Sequence, residues 1–80
     1  MKIQKIYDEV KEDFNREAKN TVVMGLAILN KYHSEIDVQS EHNEIYAKFP
    51  NMEDEMSEED IRAMFSLNWR YYEECFVIFT

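Results

Sequence analysis

One glycine, one proline and one cysteine stand among the 80 residues of this chain, and each scarcity excludes a class of chemistry. Loops that cradle phosphate need several closely spaced glycines so that backbone N–H groups can converge on the anion. Gly25 alone supplies neither a P-loop nor a dinucleotide-binding turn. With Pro50 as the only proline there is no flexible or extended linker, and the chain reads as a single domain over residues 1–80. Cys75 has no second cysteine to pair with, which suits a reducing, cytoplasmic compartment. It sits in the run Cys75-Phe76-Val77-Ile78-Phe79, where burial raises a thiol's pKa and removes it as a nucleophile. Long apolar runs are missing too. The longest, Val22–Leu29, has eight residues, against about 20 for a membrane-spanning helix. The N-terminal stretch carries Asp8 and Glu9 and has no apolar core, so it does not read as a signal peptide.

Other site chemistries fail on spacing. His33 and His42 lack the pattern of zinc ligands. Six acids fall between Glu53 and Asp60, but without the alternating oxygens and turn glycine of a calcium loop. No Gly-x-Ser-x-Gly elbow occurs. The expectation is a non-enzymatic protein with no catalytic, cofactor-binding or metal-ligating residues.

What the chain does have is apolar material and acid. Hydrophobic residues make up 45% and aromatics 14%, enough for a core and against disorder. The net charge is −8, and it is unevenly placed. Residues 1–33 hold six bases and five acids, whereas residues 34–80 hold twelve acids against Lys48, Arg62 and Arg70. Such a field repels nucleic acid and anionic lipid and draws basic partners.

The hydrophobic period changes along the chain. Ile3, Ile6, Val10, Phe14, Ala18, Val22, Leu26 and Leu29 step by three or four, which predicts one long helix over about 3–32. At 1.5 Å per residue it would be about 45 Å long, too long for a compact domain about 30 Å across. The helix therefore bends or breaks near Asn20–Thr21, or one end protrudes to a partner. Gly25 marks a place where another element could approach closely. Beyond it the period drops to two. Ile36, Val38 and Ser40, then Ile45, Ala47 and Phe49, alternate with polar residues and predict a hairpin over about 35–49, with Asn43 suited to a left-handed turn position. Pro50 ends the second strand. Residues 51–56 read as an acidic loop. Ser57 followed by Glu58, Glu59 and Asp60 reads as a capped start of a short helix over about 58–68, and 71–79 as a C-terminal strand. The expected fold is α+β, in the order α-β-β-α-β, with a three-stranded, mostly antiparallel sheet and the long N-terminal helix packed on one face.

Two functional readings follow. In the first, the chain is an inhibitor or adaptor whose acidic C-terminal half occupies a basic, nucleic-acid-binding type of surface on a partner protein. Carboxylates of the hairpin (Glu35, Asp37, Glu41, Glu44) and of the loop and helix start (Glu53, Asp54, Glu55, Glu58, Glu59, Asp60) would stand in for phosphates, with Trp69, Tyr71 or Tyr72 as an apolar anchor. Small antirestriction, anti-CRISPR and toxin-neutralising immunity proteins have a similar general profile, a likeness of composition and not of motifs. Direct binding of nucleic acid or membrane is not expected. In the second reading the chain is a self-associating module, a homodimer paired through the N-terminal helix by Ile3, Val10 and Phe14, and the acids only keep it soluble.

Overall fold

A computed structural model describes residues 2–11 and 21–79. Among them run two helices, α1 (Lys2–Val10) and α2 (Thr21–Asn30), and two strands, β1 (Asp37–Glu41) and β2 (Glu44–Lys48). A single helical turn, α3 (Met52–Glu55), and a longer helix, α4 (Glu58–Ser66), come next. The strands β3 (Arg70–Tyr72) and β4 (Cys75–Phe79) end the chain. The sheet has four strands in the order β1-β2-β4-β3, every neighbouring pair antiparallel. The α+β class is as expected, but the sheet gains a strand. The stretch expected as one strand over 71–79 is a hairpin, because Glu73 and Glu74 both take positive φ (50° and 64°) and reverse the chain in two residues.

The strand period sorts the sheet into two faces. Ala47, Phe76, Ile78 and Tyr71 point to one side and pack with Ile3, Ile6, Leu29, Ile61, Met64, Phe65 and Trp69 in a single core. All the long helices lie on that side. The β1–β2 hairpin turns through His42 and Asn43, both at positive φ (50° and 67°), so the left-handed role expected of Asn43 is filled.

The helical stripe is not one rod. Lys2 Nζ donates to the Met56 carbonyl, and the Ser57 N–H donates to the Tyr32 hydroxyl at 3.2 Å. Met56 and Ser57 are chain neighbours, so residues 2 and 32 end close together, which a straight helix about 45 Å long forbids. Instead α1 and α2 flank α4. Glu9 pairs with Arg62 at 3.0 Å along one flank. On the other, the Trp69 indole N–H donates to the Thr21 carbonyl at 2.8 Å while Lys31 reaches Asp60 at 2.8 Å, so α2 runs antiparallel to α4. Phe14, Ala18 and Asn20, which the single-helix expectation included, lie outside the described residues.

α4 has caps at both ends. Ser57 Oγ accepts from the Asp60 N–H at 3.1 Å, the hydroxyl cap expected from sequence. At the other end Asn68, at φ 70°, lets its own N–H reach the Phe65 carbonyl (3.0 Å) and the Trp69 N–H reach the Met64 carbonyl (3.1 Å). That pair of bonds is a Schellman motif, and it aims Trp69 inward. Because only Gly, and to a lesser degree Asn, takes this backbone cheaply, Asn68→Ala is expected to cost about 1 kcal/mol and Asn68→Gly nothing. Urea unfolding midpoints check both.

Around α4 the ionic contacts are local. Asp60 accepts from Lys31 and from the Tyr32 hydroxyl, and these contacts hold its carboxyl below the ordinary 3.8. A carboxylate lowered on folding contributes stability that is complete above its unfolded value and is lost as pH falls through the folded one. Asp60→Asn is therefore expected to flatten the acid limb of the stability profile below about pH 4, read as urea midpoints against pH. Residues 51–56, expected as a loop, hold α3 instead. Met52, its first residue, and Met56, just after it, are buried, and Glu53 Oε1 accepts from the Ile3 N–H at 2.9 Å, capping α1 from another part of the chain.

Candidate functional site

Among the described residues, no helix lies over the face of the sheet turned away from the core. Alternation places on it Asp37, Gln39 and Glu41 of β1, Glu44, Tyr46 and Lys48 of β2, Cys75, Val77 and Phe79 of β4, and Arg70 and Tyr72 of β3. Register then orders them in rows. Gln39, Tyr46, Val77 and Arg70 cross the middle, Asp37 pairs with Lys48, and Glu41, Glu44 and Phe79 line the end near the first turn. Val77 at the centre is 3% exposed, although it belongs to the uncovered face. Its neighbours close over it. Arg70 lies 5.3 Å above the Phe79 ring, and the Tyr46 hydroxyl donates to Glu44, a bond that pushes the phenol up to about 12. Tyr72 and Phe79 remain open, 63% and 55% exposed.

Acids border this aromatic centre. One cleft of about 630 Å³ is lined by Asp37, Lys48, Glu53, Asp54 and Glu74 among others, with Phe49, Pro50 and Tyr71 as its apolar wall. A second, of about 380 Å³, shares Asp37 and Lys48 and adds Glu41, Glu73, Tyr46 and Cys75. Together they gather six carboxylates against a single lysine. Low-dielectric walls on one side strengthen the field that such a group presents to an approaching cation.

The residues expected at the site are dispersed. Glu41, Asp54 and Glu53 line the two clefts, though one oxygen of Glu53 is committed to α1. Glu44 stands at the rim of the aromatic centre. Glu55 is exposed at the end of α3, and Glu58 and Glu59 open α4 in the helix layer, with Glu58 3.7 Å from Arg62. Trp69 and Tyr71 are corrected outright. Both are buried, and burial pushes the Tyr71 phenol up to about 12, so neither ring is free to anchor a partner. Tyr72, the third ring expected as an anchor, is exposed on the open face.

Glu73, Glu74, Tyr46 and Phe79 were not among the residues expected at the site. The missed signal was the two-residue spacing of Tyr71-Tyr72 and Cys75-Phe76, which brackets a tight turn.

Burial pushes the Cys75 thiol up, against the thiolate form. Among the described residues no three His, Cys, Asp or Glu side chains gather as a metal site, and no helix is long and apolar enough to cross a membrane. The chain matches no protein-family model, no curated protein and no solved structure.

Proposed function

We propose that this protein is a non-enzymatic binding module, an inhibitor or adaptor, whose uncovered sheet face seats a basic surface of a partner protein. The observation behind it is the acidic cleft on that face, where Asp37, Glu41 and Glu73 gather beside Tyr46, bordered by a second acidic cleft and joined to two open aromatic rings, Tyr72 and Phe79. Charge steers the encounter and keeps nucleic acid and anionic lipid away, while the rings supply desolvated contact area at its centre. Mimicry of a nucleic-acid backbone is one form of this role, since carboxylates spaced along strands and turns offer the charge that an arginine-lined groove expects. An occupancy role also needs no reacting group.

The test is capture from host lysate on the immobilised protein, eluted along a salt gradient, with Asp54→Lys/Glu74→Lys as the comparison. Both residues line the larger cleft and both are exposed, and an unchanged melting temperature checks that the variant folds. A basic protein retained by the wild type is expected to bind this variant at least tenfold more weakly. Equal retention would overturn the reading.

Self-association is the second reading, and one observation favours it. α2 contains no charged residue from Thr21 to Asn30, and its Val23 is 72% exposed. The seam first expected runs through Ile3, Val10 and Phe14. Ile3 is in the core, Val10 is half-buried, and Phe14 lies outside the described residues. If copies pair through α2, sedimentation shows a dimer that Val23→Lys converts to monomer.

A further inference from the structure

The two edges of the sheet differ. β3 has three residues and lies against α1. β1 has five, all exposed, and among the described residues only β2 pairs with it. Proteins normally blunt an exposed edge strand with proline, lysine, a bulge or a covering element. β1 pairs with β2 residue for residue from Asp37 to Glu41, without a bulge, and contains neither proline nor lysine.

Which peptide groups face outward follows from the turn. Glu41 and Glu44 flank a two-residue hairpin loop and so form a doubly bonded pair; pairs then alternate along the ladder. Asp37, Gln39 and Glu41 therefore turn their N–H and C=O groups toward β2, and Val38 and Ser40 turn theirs to the open edge. Among the described residues no hydrogen bond engages those outward groups. The side chains alternate as well. Asp37 and Glu41 lie on the acidic face, while Val38 faces the helix side and is nonetheless 46% exposed, beyond the reach of the helix layer.

We propose that β1 takes a basic, amphipathic β-strand of a partner protein as a fifth strand of the sheet, with Lys or Arg opposite Asp37 and Glu41 and an apolar side chain opposite Val38. This rests on the reading that the acidic face seats a basic partner, and it names the means. Main-chain bonds to Val38 and Ser40 give affinity, and the cross-strand charges select the partner. A second copy of this chain is the wrong occupant. Antiparallel pairing of β1 with itself about Gln39 would set Asp37 opposite Glu41 at both ends, like charges directly facing. The same acids that prevent self-pairing admit a strand with two basic residues four positions apart.

The probe is a blocked peptide containing Lys-Thr-Thr-Val-Lys, titrated at low salt into the isotope-labelled full chain and followed by amide NMR. Shift changes centred on Val38 and Ser40, with slowed hydrogen exchange at both, are expected. Two changes should each weaken binding at least tenfold: Ser40→Pro in the protein, and N-methylation of the peptide amides that would meet β1. Ser40→Pro removes an outward N–H and leaves the β2 ladder whole, so its melting temperature should stay near wild type. Should it misfold, the methylated peptide still decides.

If both peptides bind alike and Asp54→Lys/Glu74→Lys weakens them, the acidic face is a binding surface and strand addition is wrong. If neither peptide binds, strand addition is wrong, and the acidic-face reading answers to the lysate capture alone. Concentration-dependent dimerisation abolished by Ser40→Pro would assign the edge to a second copy and also overturn the proposal.

Discussion

Gly25→Ala is expected to destabilise the protein by about 3 kcal/mol, one methyl group on a helix that otherwise favours alanine. A Cβ built at Gly25 would lie 2.0 Å from Trp69 Nε1 and 2.5 Å from Cε2, far inside van der Waals contact. The indole has no room to yield, because it is fully buried among the side chains of the core. Movement of the ring would also break its bond to the Thr21 carbonyl at 2.8 Å, four residues before the glycine. Forcing a methyl into a packed core costs about 1–3 kcal/mol, and a buried donor left unpaired a similar amount. Against this stands a gain of about 1 kcal/mol from alanine's helix propensity. For a domain of this size the net loss lowers the melting temperature by roughly 12–24 °C, which circular dichroism reads directly. Trp69→Phe costs stability on its own, but in the alanine background it relieves the clash. The two changes should therefore be strongly non-additive. A melting temperature within a few degrees of wild type for Gly25→Ala would mean that the ring does not sit against this glycine.

This contact was partly legible in the sequence. A lone glycine inside a run as apolar as Val22–Leu29 signals close approach, since nothing else compensates its poor helix propensity. The approaching group was not legible. Trp69 reaches Gly25 only because Asn68 takes a left-handed conformation and turns the chain inward at the end of α4. The same bend sorts the aromatic group that follows. Once the strand begins, a period of two sends Trp69 and Tyr71 into the core and Arg70 and Tyr72 to the open face. Read as a cluster, Trp69-Arg70-Tyr71-Tyr72 resembles a binding hot spot. Read with its period, half of it is core.

The helix at the N-terminus shows the opposite failure. An apolar period from Ile3 to Leu29 that never slips phase reports a buried face, but it cannot report that the chain turns back, and no glycine or proline stands between Val10 and Thr21 to mark the place. Length, about 45 Å against a longest extent of 28 Å, left a broken helix or a protruding end, and the contacts of Lys2 with Met56 and of Tyr32 with Ser57 decide against the straight rod. The acids misled in a related way. Glu53 to Asp60 are dense in sequence, yet the fold divides them between α3, whose Asp54 lines a cleft, and α4, whose Asp60 is neutralised by Lys31. The carboxylates that line the two clefts come from β1, α3 and the β3–β4 turn, segments far apart in the chain. No local reading assembles them.

The β3–β4 turn separates a functional acidic face from a merely solubilising one. Replacing Glu73 and Glu74 with Asn and Gly is expected to raise the melting temperature by about 10 °C and to weaken binding of the partner. Both glutamates hold positive φ, 50° and 64°, where a residue with a Cβ pays about 1–2 kcal/mol relative to glycine. Asn-Gly is the preferred pair for this two-residue turn, so the substitution removes strain of roughly 2 kcal/mol. It also takes two charges from a chain of net charge −8. A turn that keeps the costlier pair is explained if its carboxylates are used, since both line the acidic clefts, Glu74 beside Asp37 and Asp54, Glu73 beside Asp37 and Glu41. Glu73→Asp with Glu74→Gly restores one acid in an equally relaxed turn and should recover part of the affinity at no cost in stability. If the Asn-Gly protein is more stable and binds its partner as tightly as the wild type, the turn acids are only solubilising. The binding surface would then have to be drawn without them, around Tyr72 and Phe79.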